Sequence, residues 1–430
     1  MNYYKRTADA LLQDLLDAFG AVLIEGPKWC GTTTTASQLA NSILRMQDPS
    51  MREEYLATAK TKPSILLKGD TPRLIDEWQD APMLWDAVRT TVDDRQIPGQ
   101  FILTGSNAVD KSQIHHSGAG RIARLRMLPM SLWESQESTG EVSLKELFNN
   151  PDYDIDGKMS KMTVEDLIFA ASRGGWPASL LARTPKAQLL VAKNYVQTIC
   201  SDDVSGIDGK KRDAKLTSMI LRAYARNVST LVKKKSLLDD VTSSGEVSCH
   251  VDTFDDYVSA LEKLFVIQNI SAWCPAIRSK TAIRSSVKRC FCDPSIPIAL
   301  LGLSPESLSM QLRTFGFIFE QMCIRDLKAY TIDLNSHVSY YHDRDDLEAD
   351  IVLHLEDGRY ALIECKLGSS EIDEGAKHLL ELKRLIQEHN KTEKQVPIRE
   401  PDLLIVMTGG TMAYSRPDGV KVIPLACLKD

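Results

Sequence analysis

Residues 21–33 read AVLIEGPKWCGTT, and this stretch decides the fold of the first part of the chain. It begins with a continuous apolar run, which is typical of a buried parallel strand. The run leads into Gly26-x-x-x-x-Gly31, and hydroxyl residues then open a helical pattern. A glycine-rich turn between a strand and a helix can direct backbone N–H groups at phosphate oxygens. The stretch therefore predicts a phosphate-binding P-loop (Walker A), with Gly26, Gly31, Thr32 and Thr33 as nucleotide-binding residues.

The loop departs from the usual pattern at one position. Thr32 stands where a P-loop has the lysine that reaches the β- and γ-phosphates, whereas Thr33 keeps the hydroxyl that would ligate Mg²⁺. A charge-assisted hydrogen bond contributes roughly 1.5–3 kcal/mol, so its loss predicts ATP binding weaker by about ten- to a hundredfold and impaired turnover. Lys28 lies elsewhere in the loop and is not expected to substitute for the lysine. A glycine turn that binds no ligand is the alternative interpretation.

Further strand ends carry polar residues in the order that a nucleotide site requires. The run RLIDE (73–77) ends in a Walker B pair. Asp76 would hold Mg²⁺ through water, and Glu77 would act as the base toward the attacking water. The run QFILTGSN (100–107) also ends in a polar cluster. Together with a further apolar run, SILLK (64–68), these segments alternate with helical patterns and predict a doubly wound α/β domain.

These segments resemble the AAA-like domain of bacterial and archaeal ATP-binding proteins that carry a C-terminal domain of unknown function. The resemblance rests on GPKWCGTTT (26–34), RLIDEWQ (73–79), FILTGSN (101–107) and GRIARLRMLPMSLWES (120–135), and it extends over nearly the whole chain. It implies an ATP- and Mg²⁺-binding domain over residues 1–135, in which Asn107 senses the γ-phosphate. It also implies that Arg121 or Arg124 is an arginine finger, toward its own site or a neighbour's. A solvated or carboxylate-paired arginine is the alternative for each.

The segment 136–305 is mostly helical in pattern, and part of it (216–293) resembles the winged-helix module of the same family. The expected helices span 216–226, 229–241 and 253–264, and a wing hairpin follows. The basic residues of the wing are Arg278, Lys280, Arg284, Lys288 and Arg289, and Lys233–Lys235 form a second basic cluster. Such a surface suits contacts with DNA phosphates. The third helix begins with acidic residues, however, so a packing role between the outer domains stays open.

The segment 306–430 contains a hairpin with the D…ExK pattern of the PD-(D/E)xK nucleases. Asp350 opens one strand, and Glu364-Cys365-Lys366 closes the other. A three-residue loop over 356–358, with glycine at its left-handed position, sets a register that places Asp350 opposite Glu364 and Glu348 opposite Lys366. A two-residue loop would instead put the two carboxylates on opposite faces. Paired carboxylates can hold Mg²⁺, and an adjacent ammonium can orient the attacking water.

The C-terminal segment is accordingly predicted to be a restriction-endonuclease-like α/β domain. Its expected catalytic residues are Asp350, Glu364 and Lys366, of which the two acids are metal ligands. Glu320, on the helix before the hairpin, is the acid that such nucleases often place near the metal. A hairpin that merely exposes charged residues is the alternative interpretation.

Composition narrows the classes of function. The chain has 430 residues, 43% of them hydrophobic and 26% charged, which indicates a cytoplasmic globular protein of two or three domains. No apolar run reaches the ~18 residues of a membrane span. The net charge of −6 argues against a uniformly basic nucleic-acid binder but permits local basic surfaces. Nine scattered cysteines predict reduced thiols.

Three functions are compatible with the sequence. The leading one is an ATP-binding AAA-like protein, possible as an oligomer, whose nuclease-like domain acts on DNA. The second is a Mg²⁺-dependent DNA nuclease with a vestigial nucleotide switch. The third is a catalytically silent scaffold that binds a partner protein.

Overall fold

The structure is a computed structural model that describes residues 3–107, 114, 116–243, 245–273, 286–343, 345–392 and 397–430. The chain divides into two compact units. The first comprises Met1–Pro129 with Lys263–Phe265, and the second comprises Met130–Glu262 with Val266–Asp430. The expected division between residues 305 and 306 therefore falls inside the second unit.

The first unit is built on a five-stranded parallel sheet in the order β2-β3-β4-β1-β5. Helices lie between its strands along the chain, so the predicted α/β class is confirmed for this unit. Its strands are β1 (Ala21–Glu25), β2 (Ser42–Arg45), β3 (Arg73–Asp76), β4 (Phe101–Gly105) and β5 (Ile122–Arg126). Its helices are α1 (Ala8–Ala18), α2 (Thr32–Leu39), α3 (Arg52–Thr61) and α4 (Met83–Arg95).

One predicted strand of this unit is wrong. The run SILLK (64–68) forms part of a short 3₁₀ helix, Pro63–Ile65, and the turn after it. Pro63, directly before the run, has a fixed φ and supplies no N–H for a sheet. Leu66 and Leu67 are nevertheless buried in the same core as Trp78 and Trp85, which explains the apolar composition of the run. The sheet also contains β2 and β5, neither of which was predicted as a strand.

The second unit combines a helical region with a six-stranded mixed sheet in the order β11-β12-β10-β9-β8-β7. A two-stranded sheet joins β6 to β13. The strands are β6 (Val142–Ser143), β7 (His337–His342), β8 (Glu348–His354), β9 (Tyr360–Lys366), β10 (Leu403–Thr408), β11 (Tyr414–Ser415), β12 (Lys421–Pro424) and β13 (Leu428–Lys429).

The helices of the chain after residue 129 are numerous and mostly short. They are α5 (Leu144–Asn149), α6 (Val164–Arg173), α7 (Pro177–Leu180), α8 (Pro185–Thr198), α9 (Val204–Gly206), α10 (Ala214–Arg226), α11 (Lys234–Thr242), α12 (Val251–Lys263), α13 (Ser295–Leu300), α14 (Pro305–Ser309), α15 (Leu312–Tyr330) and α16 (Ile372–Thr392). Among them, α15 is the helix predicted before the C-terminal hairpin and carries Glu320, and α16 follows the hairpin.

The predicted hairpin register is confirmed. Strands β8 and β9 are antiparallel, with Ile351 opposite Ile363 and His354 opposite Tyr360. Gly358 has φ +87°, the left-handed backbone that favours glycine, and its N–H donates to the Leu355 carbonyl. The loop therefore spans three residues, as expected. Because side chains alternate along a strand, this register directs Asp350 and Glu364 to the same face.

The middle segment supplies three helices near the predicted positions, but the second begins five residues later than expected. Ser229 has φ +59°, and its N–H donates to the Arg289 carbonyl, so this backbone pairs with the 286–291 segment instead of starting a helix. Ile270 and Lys288 form an antiparallel bridge. The predicted wing residues Arg278, Lys280 and Arg284 lie outside the described residues.

Candidate functional sites

The phosphate loop lies between β1 and α2. Gly31 has φ +104° and caps the amino end of α2 in the left-handed conformation. A Cβ on Gly26 would lie 2.6 Å from the Met127 carbonyl oxygen, so the close approach of the two backbones requires glycine there. Thr32 is the first residue of α2, where the helix leaves its first N–H groups without helical partners. The two glycines thus have the structural roles that a P-loop requires.

Thr33 and Asp76 come together at the carboxyl edge of the sheet, as predicted. The Thr33 hydroxyl donates to Asp76 Oδ1 at 2.7 Å, and the Thr104 hydroxyl donates to the same oxygen at 2.7 Å. A threonine hydroxyl and a carboxylate are oxygen ligands of the kind that Mg²⁺ prefers. This pair therefore fits a magnesium ion, even though Thr32 replaces the lysine.

Glu77 occupies a constrained position directly after β3. Its φ is +56°, and its side chain accepts a hydrogen bond from Gln79 and a 3.4 Å one from Ser106. Burial raises the pKa of Glu77, while the bond from Gln79 and the charge of Lys28 partly offset this effect. A carboxylate with a raised pKa is a stronger base, as the predicted role toward water requires. The hydrogen bond from Gln79 to Glu77 was not predicted.

Asn107 lies two residues beyond the end of β4, at the same edge of the sheet as Asp76. Its buried Oδ1 accepts no hydrogen bond from the described residues. The position agrees with the predicted γ-phosphate sensor, whose function remains a prediction.

Arg121 lies at the opposite edge of the sheet from the phosphate loop. Its carbonyl accepts from the N–H of Ala21, at the start of β1, and its Nε donates to Asp93 at 2.7 Å. A five-residue strand spans roughly 13 Å, so Arg121 does not reach the loop of its own chain. The prediction that Arg121 contacts the nucleotide of its own chain is therefore wrong. A role toward a neighbouring copy remains a prediction.

The other arginines of β5 lie closer to the loop edge. Arg124 stacks on Trp85 at 5.6 Å and lies 3.8 Å from Glu25. Arg126, which pairs in register with Glu25, is at the carboxyl end of the strand. Of the basic residues on this strand, Arg126 is thus the one at the edge that carries the phosphate loop.

Arg6, near the N-terminus, forms a hydrogen bond with the backbone of the phosphate loop. The buried Arg6 guanidinium donates to the Cys30 carbonyl at 2.8 Å and to the Leu128 carbonyl at 2.7 Å. The Tyr3 hydroxyl lies 3.0 Å from the hydroxyl of Thr35, in the first turn of α2. Sequence reasoning missed these contacts, because no local pattern connects the N-terminus to the loop.

The C-terminal candidate site is a carboxylate cluster at the ends of β8 and β9. One potential ligand atom from each of Glu348, Asp350 and Glu364 lies within 4.8 Å of the others. Asp350 is held by the N–H of Cys365, which donates to Oδ2 at 2.8 Å. The Glu364 side chain is 0% exposed, and neither of its oxygens receives an aligned hydrogen bond from a described residue. The predicted meeting of Asp350 and Glu364 on one face is therefore observed.

Lys366 lies beside this cluster, as predicted. Its Nζ is 3.0 Å from Glu364 Oε2. Burial opposes the charge of the ammonium, but the Glu364 carboxylate outweighs burial and raises the pKa of Lys366. Burial, together with the neighbouring Asp350, raises the pKa of Glu364 to about 9. Lys366 is thus the cation beside the buried Glu364 carboxyl.

Glu320 approaches from α15, but its carboxylate bonds to Lys288. The Lys288 ammonium also donates to the Asp350 carbonyl oxygen at 2.9 Å and lies 3.8 Å from Asp350 Oδ1. Burial opposes its charge, whereas Glu320 and Asp350 raise the pKa of Lys288. Glu320 thus lies near the cluster as expected, with a protein cation between it and Asp350.

Two residues of the predicted basic wing are buried. Lys288 is 5% exposed and Arg289 8%, and Arg289 donates to the Val232 carbonyl and the Tyr224 hydroxyl. Their predicted place on an exposed DNA-binding surface is therefore wrong. Their charges instead satisfy polar groups inside the second unit, because a buried cation requires such partners.

The parallel sheet, the phosphate loop and the Thr33–Asp76 pair define the first unit as an AAA-like P-loop domain. Family models agree: residues 18–136 match one described as an AAA domain. Residues 164–307 and 315–428 match models described as domains of unknown function, DUF8612 and DUF4143. The description of the C-terminal match thus names no activity.

Curated relatives and solved structures were also compared. The chain is similar to uncharacterized proteins of Mycobacterium tuberculosis and Mycobacterium bovis, each 24% identical over 366 residues, or 83% of this chain and 72% of the relative. Among solved structures it is similar to a Walker-type ATPase of Pyrococcus abyssi, at 12% identity and TM-score 0.41, over 70% of this chain and 96% of that one. It is also similar to the ORC2 protein of Aeropyrum pernix, at 12% identity and TM-score 0.32, over 71% and 94%.

A search for membrane spans over the described residues found no helix that is both long and apolar enough to cross a bilayer.

Proposed function

We propose that this protein is an ATP-binding AAA-like protein whose C-terminal domain is a divalent-metal-dependent nuclease acting on DNA. The observation that carries the proposal is the convergence of Glu348, Asp350 and Glu364 beside the Lys366 ammonium. Three carboxylates converge here and Glu364 is fully buried, an arrangement that is costly unless cations offset the negative charge. The cluster therefore fits a metal better than it fits an exposed charged face.

The side chains have distinct roles in this proposal. Asp350, Glu364 and Glu348 would hold Mg²⁺ or Mn²⁺, which would supply Lewis-acid activation of water and of a phosphodiester oxygen. Lys366, kept charged by Glu364, would orient the attacking water and stabilise negative charge on the phosphate. Cys365 would keep Asp350 in place through its N–H. Glu320 would act indirectly, since Lys288 binds its carboxylate.

The nucleotide site would bind ATP weakly and turn it over slowly. The Thr33–Asp76 pair and the half-buried Glu77 support Mg²⁺ and base functions, whereas Thr32 supplies no charge to the β- and γ-phosphates. This combination favours binding over turnover. The alternative is a nuclease with a vestigial nucleotide switch. In that case ATP would have no effect on cleavage.

DNA as the substrate follows from the resemblance of the hairpin pattern to the PD-(D/E)xK nucleases. Lys233 and Lys235 are exposed and could contact phosphates, which is modest support for DNA binding. The silent scaffold is the second candidate. The observation that favours it is Lys288, which already neutralises part of the acidic cluster without a metal.

The test is nicking of supercoiled plasmid by the full chain with Mg²⁺ or Mn²⁺, compared with Asp350→Ala and Lys366→Ala. Asp357→Ala is the matched control, because this acid lies in the exposed loop of the same hairpin. We expect metal-dependent nicking that both site changes abolish and the control preserves. Cleavage that survives both changes, or no cleavage with either metal, would contradict the nuclease proposal.

A further inference from the structure

We infer that Gln79 is a second residue that orients the attacking water in the nucleotide site, where its amide holds the Glu77 side chain and offers an acceptor to the same water. The inference rests on the proposed nucleotide function and deepens it by giving Gln79 a part in the reaction. It depends on the backbone between Glu77 and Gln79, on the hydrogen bonds of the Gln79 amide and on the space beside Gly105.

A short turn brings the side chain of Gln79 back to Glu77. Glu77 has φ +56°, and the 3₁₀ helix Trp78–Asp80 follows directly. The Asp80 N–H donates to the Glu77 carbonyl at 3.1 Å, which closes the turn. The Trp78 side chain is buried in the core of the first unit. The backbone that carries Gln79 is therefore fixed by a hydrogen bond on one side and by core packing on the other.

The two ends of the Gln79 amide have different surroundings. Its Nε2 donates to Glu77 Oε2, which also accepts the 3.4 Å bond from the Ser106 hydroxyl. Its Oε1 points the other way, toward the end of β4, and is buried without a hydrogen bond from a described residue. A buried amide oxygen requires a donor, and a water molecule in the nucleotide site can supply one.

The close approach of Gln79 to β4 requires glycine at position 105. A Cβ on Gly105 would lie 2.8 Å from Gln79 Oε1 and 3.3 Å from Trp78 Nε1, so a side chain there would displace the amide. Gly105 directly follows Thr104, which pairs in register with Asp76 and donates to its carboxylate. Gln79 Oε1 thus lies at the carboxyl edge of the sheet, where the ends of β3 and β4 meet.

This arrangement suits the attack of water on the γ-phosphate of ATP. A water molecule has two hydrogens, and two acceptors that each receive one of them direct its lone pair at a third atom. Glu77 and Gln79 Oε1 are the two acceptors. The water oxygen would bond to the γ-phosphorus while the bond from that phosphorus to the bridging oxygen breaks, and the electron pair of that bond leaves with ADP. The water proton would pass to Glu77, and Gln79 would neither gain nor lose a proton.

A purely structural role explains the Gln79 contacts less well. The buried Gln100 and Gln321 show what a structural glutamine looks like in this protein, since each donates through Nε2 and also accepts through Oε1. Gln79 differs from both, because among the described residues only its nitrogen is bonded. Its free oxygen lies in the site that a water must enter for hydrolysis.

The test uses the full chain carrying Thr32→Lys, in which we expect measurable turnover. Gln79→Leu in this background should lower kcat about ten- to a hundredfold, whereas KM for ATP and the affinity for a non-hydrolysable ATP analogue should change less than about threefold. Gln79→Met fills nearly the same space as glutamine and should reproduce the loss. Gln13→Leu is the matched control, because the exposed Gln13 amide also donates to a carboxylate, and it should leave kcat unchanged.

A transition-state analogue supplies a readout that a structural role would not change. ADP with aluminium fluoride mimics the γ-phosphoryl group with the attacking water in line. Gln79→Leu should weaken the binding of this complex about tenfold or more and leave the binding of ADP alone unchanged. The double change Glu77→Gln with Gln79→Leu should bind the complex no more weakly than Glu77→Gln alone, because both residues act on the same water.

Each contrary result has one meaning. Turnover by Gln79→Leu that equals or exceeds that of its parent would overturn the inference, and faster turnover would mean that Gln79 restrains Glu77. A loss of ADP and ATP-analogue affinity in both Gln79→Leu and Gln79→Met would leave Gln79 with a structural role only. ATP binding without turnover in the Thr32→Lys protein would overturn this inference and leave nucleotide binding intact. If that protein binds no nucleotide, the proposed nucleotide function itself fails.

Discussion

The Thr33 hydroxyl donates a 2.7 Å hydrogen bond to Oδ1 of Asp76 and so links the phosphate loop to the end of β3. The two residues that would share a magnesium ion are therefore in position although the neighbouring Thr32 is not a lysine. A single change at position 32 can therefore test what the lysine would contribute.

We predict that Thr32→Lys increases ATP affinity about ten- to a hundredfold, because it restores one charge-assisted hydrogen bond. Turnover should rise as well, and Glu77→Gln in this background should abolish turnover while preserving binding. Equilibrium binding of a fluorescent ATP analogue and phosphate release measure the two effects. Thr34→Lys, at an exposed position two residues along α2, is the control. Fast hydrolysis by the unaltered chain that is insensitive to Glu77→Gln would refute this account.

We predict that Arg6→Gln weakens nucleotide binding indirectly, through the backbone of the phosphate loop. The change removes a buried guanidinium from the Cys30 and Leu128 carbonyls, which costs about 1–3 kcal/mol of stability around the loop. Hydrogen exchange at residues 26–33 should accelerate, and the affinity of the Thr32→Lys background should fall. Lys5→Gln removes an exposed neighbouring charge and should do neither. Unaltered exchange in Arg6→Gln would mean that the contact does not support the loop.

Lys288→Met should be strongly destabilising. It would leave the Glu320 carboxylate buried without its cation, at a cost of about 3–5 kcal/mol. The double change Lys288→Met with Glu320→Leu removes both charges and should recover most of the loss. Urea transition midpoints of wild type, the single variant and the double variant measure the effect. A single variant as stable as wild type, or a double variant no better than the single, would contradict the pairing.

Metal affinity at the C-terminal cluster should rise with pH. Burial raises the pKa of Glu364 to about 9, so near pH 7 the metal-free carboxyl retains a proton that the ion must displace. Mn²⁺ affinity should therefore increase about tenfold per pH unit between roughly pH 6 and 9 and level off above. Calorimetry in buffers of different ionisation enthalpy measures the released proton. Glu364→Gln should remove the slope, and a flat wild-type profile would argue against Glu364 as a ligand.

The features that sequence reasoning predicted correctly are set by local chemistry. The glycines of the phosphate loop and of the hairpin loop fix backbone conformations, and the hairpin loop in turn fixes the Asp350–Glu364 register. The errors arise where tertiary packing overrides composition. Leu66 and Leu67 of the SILLK run are apolar because they are buried, although the run is not a strand. Lys288 is basic because it pairs with an acid inside the protein.

The contact between Lys288 and Glu320 also limits how this protein can be divided. Glu320 belongs to the C-terminal segment, whereas its counter-charge comes from the segment before residue 305. A fragment spanning 306–430 would therefore carry a buried acid without its base. If that fragment were exchanged between distant relatives, the hybrid would keep this ion pair only where the residues at positions 288 and 320 matched. The two segments should accordingly be inherited together, as one evolutionary unit.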